Sequence, residues 1–112
     1  MFPDVILKTL SVGICGSDVH YWTHGGIADF IVDAPIILGH ETSAEVYEVG
    51  EKVTNLKKGD IVAVEGGTSC RNCSYCKDGR YNLCPDMTFH ATPPFDGTLT
   101  RFFKHPADLC FK

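Results

Sequence analysis

The sequence predicts one small, mainly β domain, and three observations lead to that prediction. The chain has 112 residues, which is enough for one modest hydrophobic core. At least five short stretches are rich in the branched and aromatic residues that strands prefer, and polar or glycine-containing turns separate them. Helical periodicity is scarce. A barrel or a sandwich is therefore expected.

The predicted elements follow one another closely along the chain. A short helix is expected after the first strand, capped by Ser17 or Asp18 and ending at Gly25-Gly26. Residues 27–38 are expected to form a loop, and so are residues 68–86, where cysteines replace apolar periodicity. Strands are expected at residues 4–12, 44–50, 59–66, 98–105 and 107–112.

Composition and charge exclude several functional classes. The net charge is −4 and Lys57-Lys58 is the only basic pair, so nucleic acid is not an expected partner. No stretch approaches the ~20 apolar residues of a membrane helix. The first residues lack the basic start and the cleavage site of a signal peptide, so we expect a cytoplasmic protein. Thiols stay reduced there, and clustered cysteines indicate metal binding before disulfides.

Four of the six cysteines occur in "CRNCSYCKDGRYNLC", with the spacing C-x2-C-x2-C-x7-C. Four thiolates on short loops suit tetrahedral zinc, and a closed site of this kind is structural because no position is left for a substrate. The predicted ligands of this structural zinc are Cys70, Cys73, Cys76 and Cys84.

Other interpretations of the four cysteines remain open at this point. An iron–sulfur cluster also uses C-x2-C-x2-C, and Pro85 follows the last cysteine. The bacterial ferredoxin run, however, closes with a gap of three residues, and here the gap is seven. Disulfides would require an exported protein, and the site could also be unfilled. Zinc is the interpretation that the spacing favours most.

A second set of possible ligands is divided between "GICGSD" and "LGHE". Cys15, His40 and Glu41 offer a thiolate, an imidazole and a carboxylate, the set that a catalytic zinc with one open position requires. Asp18 is a candidate to accept the free ring N–H of His40 and to fix its tautomer. Each residue alone would more commonly have an ordinary structural role.

The motifs "VGICGSDVHYW", "LGHE", the four-cysteine run and "GRYNLCPDMTFHATPPFDGTL" together resemble the zinc-dependent medium-chain alcohol dehydrogenases. The resemblance is greatest to the sorbitol/xylitol (polyol) dehydrogenase branch, and it covers almost the whole chain. It implies the GroES-like catalytic domain, a partly open β-barrel with short helices. It also implies oxidation of a secondary alcohol to a ketose with NAD.

The resemblance also implies roles for individual residues. Cys15, His40 and Glu41 match ligands of a catalytic zinc, and the four clustered cysteines match ligands of a structural zinc. Ser17 matches the hydroxyl residue that passes the substrate proton onward, with His20 as a candidate next step. Residues that match the wall of the substrate pocket are Tyr21 and Phe89. Trp22 is expected to be a core aromatic.

Departures from the family concern the ends of the chain and one position after "GHE". Residues 1–112 are expected to be a partial GroES-like domain, truncated at both ends, because the chain starts just before a strand and stops straight after "DLCF". In addition, no G-x-G-x-x-G follows a strand. The cofactor (Rossmann) domain and its NAD site would then lie outside this chain, and the fragment alone would be inactive. Ala44 stands where the family usually has glycine. The full-length protein is expected to be a homo-oligomer, as is the family's habit.

Two functional hypotheses remain. The first is that the chain is the zinc-bearing part of a polyol dehydrogenase with a small polyol substrate. The second is a stand-alone GroES-like zinc-binding module whose catalytic ligands are idle. A strand followed by G-x-G-x-x-G and a helix beyond Lys112 would distinguish the first from the second.

Overall fold

The computed structural model describes residues 3–112, and a five-stranded antiparallel sheet is its largest element. Its strands are β1 (Asp4–Gly13), β4 (Glu41–Val49), β5 (Ile61–Val64), β8 (Phe102–Pro106) and β9 (Cys110–Phe111). The strand order is β8-β1-β4-β5-β9, so that β8 and β9 are the edges. The mainly β class is confirmed, although within residues 3–112 this sheet stays open and does not close into a barrel.

The central pair of the sheet, β1 and β4, contains two irregularities. Val5 pairs with Val49 and Gly13 pairs with Glu41, but Tyr47 of β4 and Leu10 of β1 have no partner in this ladder. Each is one extra residue, as in a β-bulge. The two bulges lie on opposite strands, and the register at the Gly13 end is therefore the same as at the Val5 end.

Smaller elements surround the sheet. Helix α1 (Gly16–His24) follows β1, and helix α2 (Ser74–Lys77) lies within the cysteine stretch, which also contains a 3-10 turn at Tyr81–Leu83. Another 3-10 turn, Ala107–Leu109, precedes β9. Two short antiparallel ladders complete the described part: β2 (Gly26–Ile27) with β3 (Phe30–Ile31), and β6 (Gly67–Thr68) with β7 (Thr88–Phe89).

The hydrophobic core lies against one face of the sheet. Its buried members include Val5 and Leu7 of β1, Val46 of β4 and Val62 of β5. Ala44 is fully buried among them, opposite Thr9 and Val62. The methyl group of Ala44 therefore contributes to the core, and the position does not require glycine.

Several boundaries differ from the sequence prediction. The cap of α1 is Cys15, not Ser17 or Asp18, because Asp18 reaches back from the first turn and accepts the N–H of Cys15 at 3.3 Å. Gly25, in the left-handed region at φ 73°, ends the helix as predicted. The predicted loop at 27–38 contains part of the β2–β3 hairpin, and the predicted core residue Trp22 is 81% exposed.

No helix within residues 3–112 combines the length and the apolar character that crossing a bilayer requires.

Candidate metal centres

The four clustered cysteines form the first candidate centre, which we call the cysteine lobe (residues 69–87). One Sγ atom from each of Cys70, Cys73, Cys76 and Cys84 lies within 4.8 Å of the others. The Sγ atoms of Cys73 and Cys76 are 3.5 Å apart, and those of Cys70 and Cys76 are 3.9 Å apart. Four sulfurs at about 2.3 Å from one zinc lie about 3.8 Å apart, so the spacing fits a tetrahedral ZnS4 site. These separations are well beyond the ~2.05 Å of a disulfide bond.

Hydrogen bonds favour the thiolate form at two of the lobe cysteines, Cys70 and Cys76. At Cys84 the N–H of Cys70 acts in the same direction, but burial and the side chains of Cys70 and Cys76 raise the pKa to about 11. The backbone N–H groups of Asn72 and Cys73 donate to Cys70 Sγ at 3.4 and 3.2 Å, and they lower the pKa of Cys70. A hydrogen bond with the Ser69 hydroxyl and, to a smaller extent, one with the Cys73 thiol lower the pKa of Cys76 to about 6. Donors of this kind stabilise negative charge on sulfur before a metal arrives.

Side chains join the lobe to the main sheet. Both guanidinium NH groups of Arg71 donate to the carboxylate of Asp108, in the turn before β9. Tyr81 donates its hydroxyl to Glu65, just after β5, at 2.8 Å. The lobe contains little buried apolar surface, and these contacts orient it relative to the sheet.

Cys15, His40 and Glu41 form the second candidate centre, and the sheet brings them together. Their ligand atoms lie within 4.8 Å of one another. Cys15 follows the end of β1, and Glu41 begins β4 opposite Gly13. A Cβ atom at Gly13 would overlap Oε2 of Glu41, so the carboxylate occupies the space that a side chain there would need.

Asp18 organises the backbone of this second centre. Its Oδ2 accepts the N–H of Cys15, and its Oδ1 accepts the N–H of Gly39 at 2.9 Å, although its side chain is almost fully buried. Gly39 adopts φ 94°, a left-handed conformation that favours glycine. The aspartate thus joins the start of α1 to the residue just before His40.

The contact between Asp18 and His40 is close without being a hydrogen bond. Nδ1 of His40 lies 3.5 Å from Oδ1 of Asp18, and this nitrogen is buried with no hydrogen-bond partner. Nδ1 faces Asp18, which leaves Nε2 as the ring nitrogen for a metal. The arrangement fits the thiolate, imidazole and carboxylate set of a zinc site. The hydrogen bond from His40 to Asp18 stays a prediction.

The two predicted proton-relay residues have different surroundings. Ser17 is half-buried and donates its hydroxyl to Cys15 Sγ at 3.3 Å, which places it beside the second centre. His20 is exposed, and its ring stacks on the ring of His24 with centroids 4.4 Å apart. Thr23 Oγ1 lies 2.7 Å from Nδ1 of His24, so the pair has a polar neighbour at the surface.

The two predicted pocket residues line different clefts. The ring of Phe89 meets the ring of His40 edge-on, with centroids 5.5 Å apart, and Phe89 lines an apolar cleft of about 380 Å³. Tyr21 is buried and lines another cleft, of about 290 Å³, together with Trp22 and residues of the 32–38 segment. The structure does not bring Tyr21 and Phe89 into one cavity.

The cleft beside Phe89 includes residues that sequence reasoning missed. Phe30, Thr92 and Phe95 line it. Phe30 lay in a segment predicted to be a featureless loop. Thr92 was visible only as part of the "ATPP" motif, whose Pro93–Pro94 bond is cis. The two residues of the β2–β3 turn, Ala28 and Asp29, include neither glycine nor asparagine, so the sequence carried no hairpin signal that would have directed attention to Phe30.

Comparisons with known proteins agree with this architecture. D-xylulose reductase A of Aspergillus niger is 56% identical over 109 residues, which cover 97% of this chain and 30% of that protein. L-idonate 5-dehydrogenase of Escherichia coli K-12 superposes with a TM-score of 0.83 at 32% identity, over 98% of this chain and 32% of its own.

An alcohol dehydrogenase of Escherichia coli CFT073, solved in complex with NADH, has a TM-score of 0.83 at 30% identity, over 97% of this chain and 30% of its own. The chain thus spans about a third of the length of the proteins it matches. The model of the alcohol dehydrogenase GroES-like domain matches residues 3–112, and the chain belongs to that family.

Proposed function

We propose that this chain is the zinc-binding part of an NAD-dependent polyol dehydrogenase, which interconverts a secondary alcohol and a ketose. The observation that carries this proposal is the convergence of Cys15, His40 and Glu41 within 4.8 Å, next to the apolar cleft walled by Phe89. The three candidate ligands do not themselves line the cleft, and Phe89 links the two, because its ring meets that of His40 and also lines the cleft. Carbonyl–alcohol chemistry requires a metal close to a substrate cleft.

Zinc held by Cys15, His40 and Glu41 would supply a Lewis acid that makes a substrate hydroxyl easier to deprotonate. The residues of this chain then have distinct tasks. Ser17, hydrogen-bonded to Cys15 Sγ, is positioned to take the hydroxyl proton, and exposed His20 connects the same helix to solvent. Asp18 fixes the backbone on which Cys15 and His40 lie, and Phe89 excludes water from one side of the site.

The cysteine lobe has a different task. Its four ligands leave no position for a substrate, so zinc there would stabilise the fold and take no part in the reaction. The two sets of ligands share no residue, and the proposal therefore assigns one zinc to each.

We infer the classes of substrate and cofactor from the proteins that this chain resembles. The similarity to a D-xylulose reductase and to an L-idonate 5-dehydrogenase favours a short linear polyol or sugar acid. The NADH-bound neighbour supports a nicotinamide cofactor, and we propose NAD. The cofactor domain would lie outside residues 1–112, so the chain alone is expected to be inactive.

A chimera tests the proposal directly. The chain would replace the aligned 109 residues of the Aspergillus niger D-xylulose reductase, whose remaining residues stay in place, and reduction of D-xylulose by NADH would be measured. We expect activity with NADH and a loss of more than ~100-fold in the His40→Ala variant, because the centre would lose a metal ligand. A chimera that folds, binds two zinc ions and shows no turnover would instead support the idle zinc-binding module.

A further inference from the structure

The cysteine lobe and the second centre are connected by a short ladder of backbone. Strand β6 enters the lobe and strand β7 leaves it, and the two pair through Gly67 with Phe89 and Thr68 with Thr88. Phe89 is the last residue of this ladder, and its ring is the one that meets His40. One continuous element therefore runs from the lobe cysteines to the face of a candidate metal ligand.

The ring of Phe89 rests on two consecutive glycines. A Cβ atom at Gly67 would lie 3.3 Å from Cδ2 of Phe89 and 3.1 Å from Sδ of Met87. A Cβ atom at Gly66 would lie 3.4 Å from Cζ of Phe89 and 3.6 Å from the carbonyl oxygen of His40. The ring is thus packed between the backbone of β6 and the His40 ring, and its position depends on where β6 lies.

The ladder is too short to hold this position by itself. A ladder of two residue pairs is not stable by itself, so the pairing depends on contacts that hold the two strands together at each end. At the lobe end, a cysteine contact holds the two strands together. The N–H of Cys70, two residues after Thr68, donates to Sγ of Cys84 at 3.3 Å. On the other side, the N–H of His90 donates to the carbonyl of Gly66 at 3.1 Å.

We propose that metal occupancy of the cysteine lobe sets the position of the Phe89 ring against His40, through the β6–β7 ladder. This inference rests on the proposed function, because it takes both cysteine-containing centres to bind metal. An empty lobe no longer fixes Cys70 relative to Cys84. The ladder then loosens, and Phe89 moves away from the His40 ring. Phe89 is a positioning residue for the second centre, and the lobe is more than a remote stabiliser.

Cobalt spectroscopy tests the connection without an activity assay. The full chain would carry zinc in the lobe and Co²⁺ in the second centre, and the thiolate-to-cobalt absorption of Cys15 would be recorded. Cys73→Ser removes one lobe ligand and is expected to shift this absorption. It is also expected to weaken Co²⁺ binding to the second centre about 2- to 10-fold, which corresponds to the loss of one edge-to-face ring contact. Phe89→Leu is expected to do the same.

The double variant decides the route. If the effect travels through Phe89, Cys73→Ser adds nothing further in a Phe89→Leu background. Additive effects, or an unchanged cobalt spectrum after the lobe has lost its metal, overturn the inference. Phe95→Leu is the matched control, because Phe95 lines the same cleft and is about as exposed as Phe89, whereas the ring contact with His40 belongs to Phe89. This variant is expected to leave the spectrum unchanged.

A second variant covers the case in which Cys73→Ser does not fold. Gly67→Ala leaves all four cysteines in place but puts a methyl group against Phe89 and Met87. It is expected to keep two metal ions per chain and to shift the cobalt spectrum in the same direction as Phe89→Leu. An unshifted spectrum in Gly67→Ala overturns this inference and leaves the proposed function intact. A chain with no cobalt absorption that depends on Cys15 overturns the proposed function as well.

Discussion

The backbone N–H of Gly39 donates to Oδ1 of Asp18 across 2.9 Å, in a place that is almost closed to solvent. This bond joins helix α1, which begins beside Cys15, to the segment that ends at His40. The second carboxylate oxygen of Asp18 accepts the N–H of Cys15 itself. One buried side chain therefore sets the distance between two candidate ligands.

The variant Asp18→Asn tests this role. The new amide side chain could accept only one of the two N–H groups well, because its nitrogen is a donor. We expect a free energy of unfolding lower by about 1–3 kcal/mol and a zinc affinity of the second centre lower by about 10- to 100-fold. Urea denaturation and a zinc competition titration measure the two effects. Asp29→Asn, at an exposed position, is the control, and an equal effect there would contradict the role of Asp18.

The number of bound metal ions provides a simpler prediction. The chain is expected to bind two zinc ions, one in each centre. Cys84→Ser and Cys15→Ser are each expected to retain one, and the double variant none, because the two centres share no ligand. Native mass spectrometry counts the ions directly. Cys110→Ser should retain both, since buried Cys110 belongs to the core and to neither centre.

Gly13 is expected to be intolerant of even a methyl group. The methyl of Gly13→Ala would overlap Oε2 of Glu41 and displace the carboxylate. Zinc affinity of the second centre should fall about tenfold or more, as for loss of a well-oriented ligand. A metal-binding titration measures the zinc affinity of Gly13→Ala. Gly16→Ala is the control, because a Cβ atom at Gly16 meets nothing within 4 Å. Equal losses in both variants would show that the local backbone, and not displacement of the carboxylate, is responsible.

A buried histidine makes stability sensitive to pH. Burial, with the nearby charges of His105 and His40, lowers the pKa of His90 to about 4. The unfolded chain has a histidine pKa near 6.5, so it binds the proton first as the pH falls. The free energy of unfolding is therefore expected to decrease between about pH 6.5 and 4, by about 1–2 kcal/mol at pH 5 after allowance for partial solvent screening.

Urea denaturation at pH 7 and pH 5 checks this prediction. The difference between the two pH values should be smaller in His90→Leu than in the unchanged chain. Some of it should remain, because burial also lowers the pKa of His105. Replacement of exposed His24 with leucine should leave the difference as it is, and a decrease there would contradict the assignment to His90.

The pair of Arg71 and Asp108 is expected to contribute modestly to stability. The Asp108 carboxylate is half exposed, and exposed ion pairs contribute about 0.2–1 kcal/mol. A double-mutant cycle with Arg71→Gln and Asp108→Asn, analysed by urea denaturation, measures the coupling energy. It should decrease in 1 M salt, where charges are screened over about 3 Å. A coupling that salt does not change would indicate that packing, and not charge, holds the lobe to the sheet.

Much of this molecule could be predicted from local sequence patterns. The runs around Val5, Val46 and Val62 predicted the central strands because branched side chains cover a buried sheet face. The cysteine spacing predicted the lobe because short loops leave four sulfurs few other arrangements. Cys15 and His40 are far apart in sequence, but their residue types suggested one zinc site, and the family resemblance assigned them to it.

The errors concern features that depend on tertiary contacts. The helix is capped two or three residues earlier than predicted because Asp18 bonds to the Cys15 backbone, a contact that no propensity scale contains. Trp22 is exposed on its helix, whereas its neighbour Tyr21 is buried, and hydrophobicity alone could not distinguish the two faces. The contact between Phe89 and His40 joins two separate parts of the fold, so no local pattern could predict it.

The bulges of the central ladder determine which residue of β1 lies opposite Glu41. If Leu10 were paired in sequence, the remainder of β1 would advance by one, and Gly13 would oppose His40 in place of Glu41. The exclusion of Leu10 from the ladder aligns Gly13, which has no side chain, with Glu41. A sequence change that restored regular pairing at Leu10 would therefore keep every candidate ligand and still move Gly13 out of its position opposite Glu41.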